Sequence, residues 1–136
     1  MSLPFRTLLL RANAAFLMMA SAGGMISDLT GAVLLRGPVG LAVEKVPHAA
    51  IGFVEAHGLA FIIGVLLWRA EPARLWHGTA AAVHVLLGTS NLVFWPLFGF
   101  AGMLAVGYVT TVLHGVFATL QLTAALGTRS QAPKPA

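Results

Sequence analysis

Two apolar segments of this chain each carry polar residues at a spacing that places them on one side of a helix. These residues are His77, His84 and Asn91 in one segment, and Thr111, His114 and Gln121 in the other. Positions seven apart are separated by almost two whole helical turns and therefore share a face. Polar groups inside a membrane are costly and usually face other protein groups. On the second segment His48, Gly52 and Glu55 align, and on the first Asn13, Ser21 and Asp28 share one broad face. The spacing therefore predicts that each of the four helices turns a polar face toward a common axis.

Glu55, His84 and His114 are the residues whose types would support acid–base catalysis. A rise of about 1.5 Å per residue puts His84 and His114 at nearly the same depth, with Glu55 nearer the outer side. A carboxyl group and an imidazole at one site can exchange a proton with a substrate. Such a site would suit the isomerisation, hydration or cyclisation of a lipid or an isoprenoid.

The same two histidines are candidates for binding a cofactor. Imidazoles at one depth on facing helices are the ligands that a bis-histidine haem b requires, so His84 and His114 are its predicted axial ligands. A metal site of His84, His114 and Glu55 is less favoured, because the chain has no close ligand motif such as His-x-x-x-His. The sequence therefore predicts no metal centre.

The other interior polar residues support either a ligand site or a structural interior. Asn13, Asn91, Thr111 and Gln121 are the predicted contacts of a small lipid-soluble ligand. Asn13 and Gln121 lie toward the same end of their segments, so a hydrogen bond between them is expected. In the structural alternative these groups only tie helices together, each bond being worth on the order of 1 kcal/mol or less.

The remaining ionisable residues are expected at surfaces. His48 and His77 lie at segment ends, where an interfacial position is the simplest expectation. Asp28 follows the first apolar segment and is expected to be solvated. His57 is two residues after Glu55, so a helix points it the opposite way, toward a neighbouring subunit.

Four apolar segments position these residues and fill almost all of the 136-residue chain. They are residues 8–27, 48–68, 75–97 and 101–126. A helix of about 20 apolar residues crosses a hydrocarbon core of about 30 Å. Hydrophobic residues make up 58% of the chain and charged residues 9%, against roughly 25% charged in soluble domains. We expect an all-α polytopic membrane protein, an up-down bundle of four transmembrane helices over residues 1–127, surrounded by the lipid bilayer.

The positions of lysine and arginine predict the orientation of this bundle. Six of the eight lie at the start of the first segment or before it, between the second and the third, or after the fourth; Arg36 and Lys45 lie on the other side. The positive-inside rule then places both termini in the cytoplasm. Residues 128–136 are expected to form a disordered cytoplasmic tail. Because the basic residues are dispersed, no nucleic-acid partner is predicted, and without cysteine the chain has no disulfide or thiolate site.

Small residues and a long connection complete the predicted layout. Every fourth position of the second segment is small, which predicts a helix-packing face: Gly52, Ala56, Ala60 and Gly64. Residues 29–47 are expected to form a long outer loop that lies on the membrane surface or folds over the mouth of the bundle. Polar residues within the first segment favour a retained helix over a cleaved signal peptide.

Several short motifs resemble those of small, largely uncharacterised bacterial four-helix membrane proteins. The motifs are Leu10-Arg11-Ala12-Asn13-Ala14-Ala15-Phe16 with Ser21 and Gly23, Ala50-Ile51-Gly52, Trp68-Arg69, Gly88-Thr89-Ser90-Asn91 and Gln121. Length and helix count are also similar to those of DoxX-like proteins. The resemblance implies a four-helix fold in the bacterial inner membrane and transfers no catalytic residues.

Together these features predict a small multi-pass inner-membrane protein with a polar interior. Its expected role is to bind a small lipid-soluble ligand or to serve as an accessory subunit that docks on a membrane-protein partner or on copies of itself. Two alternatives stay open, an intramembrane acid–base enzyme acting on a lipid or isoprenoid substrate, and a bis-histidine haem b protein.

Overall fold

The protein is all-helical over residues 1–127, the part that the computed structural model describes. Six helices follow one another: α1 (Leu3–Leu34), α2 (Gly37–Lys45), α3 (Ala49–Arg69), α4 (Arg74–Val93), α5 (Trp95–Phe100) and α6 (Leu104–Leu126). In this part of the chain α1, α3 and α6 are long and apolar enough to cross a membrane. The expected tail, residues 128–136, lies outside the described residues.

Two short helices replace features expected to be irregular. The predicted outer loop, residues 29–47, is mostly helical, because α1 continues to Leu34 and α2 follows after two residues. Leu35 ends α1 in the left-handed conformation, with φ of 50°. The chain then folds α2 back on α1 so closely that a Cβ atom at Gly40 would lie 2.6 Å from the Leu35 carbonyl carbon. The second short helix, α5, forms the turn between α4 and α6.

The long helices form two antiparallel pairs, α1 with α3 and α4 with α6, and α1 also contacts α4 and α6. Within each pair, residues early in one helix contact residues late in the other, so the two helices are antiparallel. In the first pair, Gly64 packs against Ala14 and Met18, while the earlier residue His57 meets the later residue Asp28. The helix α1 is therefore the element that joins the two pairs.

The pairs meet most closely at one end, which we call the arginine end because Arg6, Arg11, Arg69 and Arg74 lie there. A cluster of buried residues brings α1, the end of α3 and the start of α4 together: Leu10, Ala14, Leu17, Leu67, Ala70 and Ala80. Arg11 donates from Nη1 to the carbonyl oxygen of Leu67 at 3.1 Å, and Arg6 donates to that of Pro72. The bond from Arg11 satisfies a carbonyl group in the last turn of α3, and the bond from Arg6 ties α1 to the connection between α3 and α4.

Candidate functional site

The interior of the bundle contains a buried hydrogen-bond network near the arginine end. His77 Nδ1 donates to Gln121 Oε1 at 2.5 Å, and Gln121 Nε2 donates to Asn13 Oδ1 at 2.8 Å. All three side chains are fully buried. The predicted bond between Asn13 and Gln121 is confirmed. His77 lies in the first turn of α4, and its ring is buried between α4 and α6.

One step of seven residues deeper, His84 and His114 face each other, as their common depth predicted. Their Nδ1 atoms are 2.8 Å apart, so one ring donates to the other. Both residues are buried, with Phe16 and Phe117 packed against the rings; the Phe117 and His84 centroids are 5.1 Å apart and stacked. Small Gly88 faces the pair, and a Cβ atom there would lie 3.2 Å from His114 Cβ.

The histidine pair does not fit the predicted haem. Two axial histidines bind iron from opposite sides of a flat macrocycle, so iron and ring must lie between the imidazoles. Here the Nδ1 atoms of His84 and His114 bond directly to each other, and Phe16 and Phe117 pack beside the rings. His84 Nε2 is buried and has no hydrogen-bond partner among the described residues. The geometry supports a helix-to-helix contact, in which the two imidazoles bond to each other.

A third polar contact follows another seven residues along α4. Asn91 Nδ2 donates to the hydroxyl oxygens of Thr110 at 3.0 Å and Thr111 at 3.2 Å. The polar faces predicted for these two segments therefore do face each other along the α4–α6 pair. The predicted polar face of α3 does not join them, because His48, Gly52 and Glu55 are exposed. Of the predicted ligand contacts, the four residues Asn13, Asn91, Thr111 and Gln121 all bond to other side chains of the bundle.

Glu55 does not join the histidines. Its side chain is exposed on α3, whereas His57, Ala60 and Gly64 point toward α1. No hydrogen bond or ion pair within residues 1–127 involves the Glu55 side chain. The expected acid–base site of Glu55 with His84 or His114 is therefore not assembled in this structure, nor is a metal site of the three. No group of three potential ligands among His, Cys, Asp and Glu occurs in the described residues.

The opposite side of α3 carries a polar pair that the sequence did not predict. His57 Nδ1 donates to Asp28 Oδ2 at 2.5 Å; the Asp28 side chain is 3% exposed and that of His57 40%. The prediction that Asp28 is solvated is therefore wrong. His57 faces α1, where the sequence analysis expected it to face a neighbouring subunit. Gly24 makes room for the ring, since a Cβ atom there would lie 2.4 Å from His57 Nε2. The sequence feature that could have predicted this contact is the pair Gly23 and Gly24, about one helical turn before Asp28.

A groove of about 500 Å³ lies on the surface between α4 and α6 at the arginine end. Arg74 and Thr79 supply its polar groups, and Leu75, Gly78 and Leu122 are among its apolar wall residues. The groove therefore combines one arginine and one hydroxyl group with mostly apolar walls.

No protein-family model, curated protein or solved structure matches this chain.

Proposed function

We propose that this chain is a membrane protein that binds a single-chain amphiphile with an anionic head group in the groove between α4 and α6. The observation that carries the proposal is the composition of the groove, which Arg74 and Thr79 line with polar groups and Leu75 and Leu122 with apolar ones. A carboxylate or phosphate head would accept charged hydrogen bonds from the Arg74 guanidinium. The alkyl chain would cover leucine side chains that otherwise face lipid.

The proposal includes four membrane spans, with α4 as the fourth. The polar residues that lower the mean hydropathy of α4, His77, His84 and Asn91, are bonded to α6 or face it. The surface that α4 presents outward is apolar and includes Leu75, Val85, Leu86, Leu92 and Val93. Because α4 lies antiparallel along α6, the two helices share the same depth. The charge distribution supports cytoplasmic termini, a cytoplasmic arginine end and a bacterial inner-membrane location.

In this proposal, the interior polar residues hold the helices and the ligand lies outside them. The side chains of Asn13, Asn91, Thr111 and Gln121 bond within the bundle, and His84 bonds to His114. Helix association in lipid depends on such bonds and on close packing, because leucine burial gives little gain there. The amphiphile site therefore sits beside the α4–α6 pair, where a lipid-soluble molecule has direct access from the membrane.

Binding of a fluorescent long-chain fatty acid to purified protein in detergent tests the proposal. Replacing Arg74 with Gln removes hydrogen bonds to a charged group, worth about 1.5–3 kcal/mol, so the dissociation constant should rise by roughly 10-fold or more. Gly78→Leu should abolish binding by filling the groove. A Cβ atom at Gly78 meets no other atom within 4 Å, so the fold should tolerate the substitution.

Two matched variants serve as controls for this experiment. Arg69→Gln removes an exposed arginine from the same end of the bundle but outside the groove. Gly115→Leu places the same side chain on an open part of α6. If these controls weaken binding as much as Arg74→Gln and Gly78→Leu do, the groove is not the binding site. Wild-type protein that fails to bind both the fatty acid and a lyso-phospholipid would overturn the proposal.

A further inference from the structure

Three buried polar atoms of the bundle interior have no hydrogen-bond partner among the described residues. They are Asn13 Nδ2, His77 Nε2 and His84 Nε2. Their residues are at most 1% exposed, so bulk solvent does not reach them. A fourth such atom, Arg6 Nε, belongs to a side chain at the arginine end. In native proteins buried polar groups of this kind are nearly always bonded, either to protein or to ordered water.

Two of these atoms belong to side chains that bond to one and the same amide group. His77 Nδ1 donates to Gln121 Oε1, and Gln121 Nε2 donates to Asn13 Oδ1. The oxygen and nitrogen of an amide share one carbon atom, so the Asn13 and His77 side chains flank the Gln121 amide closely. The groups left over are the N–H donors of Asn13 Nδ2 and the lone pair of His77 Nε2. They are therefore complementary, one a donor and the other an acceptor.

We propose that the interior of the bundle binds water at this layer, with one molecule accepting from Asn13 Nδ2 and donating to His77 Nε2. Buried water in proteins typically makes about three hydrogen bonds to polar groups that have no other partner. A water molecule here closes a ring of hydrogen bonds through Asn13, Gln121 and His77, and so ties α1, α4 and α6 together. The site lies inside the bundle, apart from the surface groove, and exists whether or not the groove binds an amphiphile.

The water bridge forms with either tautomer of His77. If His77 Nδ1 accepted and both amide groups were turned over, Asn13 would keep a free carbonyl oxygen and His77 a free Nε2–H. One donor and one acceptor would again remain. A water molecule both donates and accepts, so it joins the two side chains in either arrangement.

The histidine pair offers water a further partner. His84 Nδ1 is bonded to His114 Nδ1, so Nε2 is the free nitrogen of the His84 ring. His84 follows His77 by seven residues, or about 10.5 Å along α4. The turn between them carries the small, buried side chains of Ala80 and Ala81 on the same face, so no bulky side chain of α4 stands between the two rings there. Water in this turn satisfies His84 Nε2 and joins the two polar layers.

Water-edited solid-state NMR of the wild-type protein in lipid bilayers tests the proposal. Magnetisation passes from water protons to the carbon-bound protons of nearby side chains, and its rate of buildup reports how close water lies. The ring signals of His77 and His84 should build up at least several-fold faster than the methyl signal of Ala60, which is buried between α1 and α3. Exposed His48 gives the rate for a ring in contact with solvent. Buildup at either buried histidine that is no faster than at Ala60 would overturn the proposal.

A matched pair of variants tests the role of Asn13. Asn13→Leu keeps the branched shape of the side chain but removes the group that donates to water, so buildup at the His77 ring should slow several-fold. Thr119→Leu, an exposed position on α6, should leave that rate unchanged. The signals of His84 and His114 show whether the α4–α6 pair stays folded in each variant. Unchanged buildup at His77 in folded Asn13→Leu would contradict the bridge.

Discussion

The buried polar side chains of this protein are arranged so that single residues serve several partners. Gln121 is the clearest case, since its carbonyl oxygen accepts from His77 and its amide donates to Asn13 Oδ1. The bond to an oxygen acceptor also fixes the tautomer of His77, because its Nδ1 must carry the proton. A carbonyl and an amide on one side chain therefore connect α1, α4 and α6.

Replacing Gln121 with Leu should destabilise the protein more than an average membrane hydrogen bond is worth. The substitution strands a buried donor on His77 and a buried acceptor on Asn13, and each unsatisfied group costs about 1–3 kcal/mol. The midpoint of thermal unfolding in detergent measures the loss. Thr119→Leu on the same helix should change that midpoint little, because Thr119 is exposed and bonds only to its own helix at Gly115. A comparable shift in both variants would contradict the explanation.

At the scale of single helices, close approach depends on where glycine faces. The helices α1 and α3 nearly touch at Gly64, where an added Cβ would lie 2.7 Å from Met18 Cγ and 3.2 Å from the Ala14 carbonyl oxygen. The neighbouring Ala60 is also buried, but Gly52 lies on open surface. A repeat of four residues advances about 40° around a helix at each step, so the small residues of α3 pass gradually from one face to another.

Gly64→Ala should therefore destabilise the bundle, by about 1–3 kcal/mol, because the Ala14 carbonyl is backbone and cannot move alone. Gly58→Ala on the same helix makes no new contact within 4 Å. It should be neutral or stabilising by up to about 1 kcal/mol through helix propensity. Thermal unfolding of the two purified variants separates packing from propensity. Equal destabilisation by both would show that α1 and α3 do not pack at Gly64.

Helical periodicity predicted the contacts within the α4–α6 pair but not those of α3. Seven-residue spacing identifies the face shared by His77 and His84. The α6 segment carries a second polar face, and two polar faces in an apolar bundle are expected to pack against each other. On α3, Glu55 and His57 lie on opposite sides, so only one of them can face α1. The cost of a charge in lipid favoured Glu55, whereas the close approach at Gly64 turns His57 inward. Periodicity shows which residues share a face of a helix. Which face is buried depends on where two helix backbones can approach closely, as α1 and α3 do at Gly64.

In the whole molecule, the two helix pairs differ in how many polar side-chain contacts hold them together. The α4–α6 pair is held by polar contacts along its length, at His77, His84 and Asn91. The α1–α3 pair has one contact between two polar side chains, Asp28 with His57, and a bond from Arg11 to the Leu67 carbonyl oxygen; otherwise it packs through small and apolar residues. Cation–π contact of Lys45 with Phe100, 5.6 Å from the ring centre, links α2 to α5 at the end opposite the arginines. Basic side chains therefore make contacts between elements at both ends of the bundle, Arg6 and Arg11 at one end and Lys45 at the other.

The four-span arrangement predicts which parts of the molecule face each side of the membrane. Single cysteines introduced at Leu41 in α2 and Gly99 in α5 should react with a membrane-impermeant maleimide in intact cells. A cysteine at Glu71, between α3 and α4, should react only after permeabilisation. All three positions are exposed, and the chain has no cysteine of its own to give background labelling. If α4 did not cross the membrane, Gly99 would lie on the same side as Glu71. Protection of Gly99→Cys together with labelling of Leu41→Cys would therefore contradict the four-span arrangement. The reverse pattern at all three positions would place the arginine end outside, against the positive-inside rule.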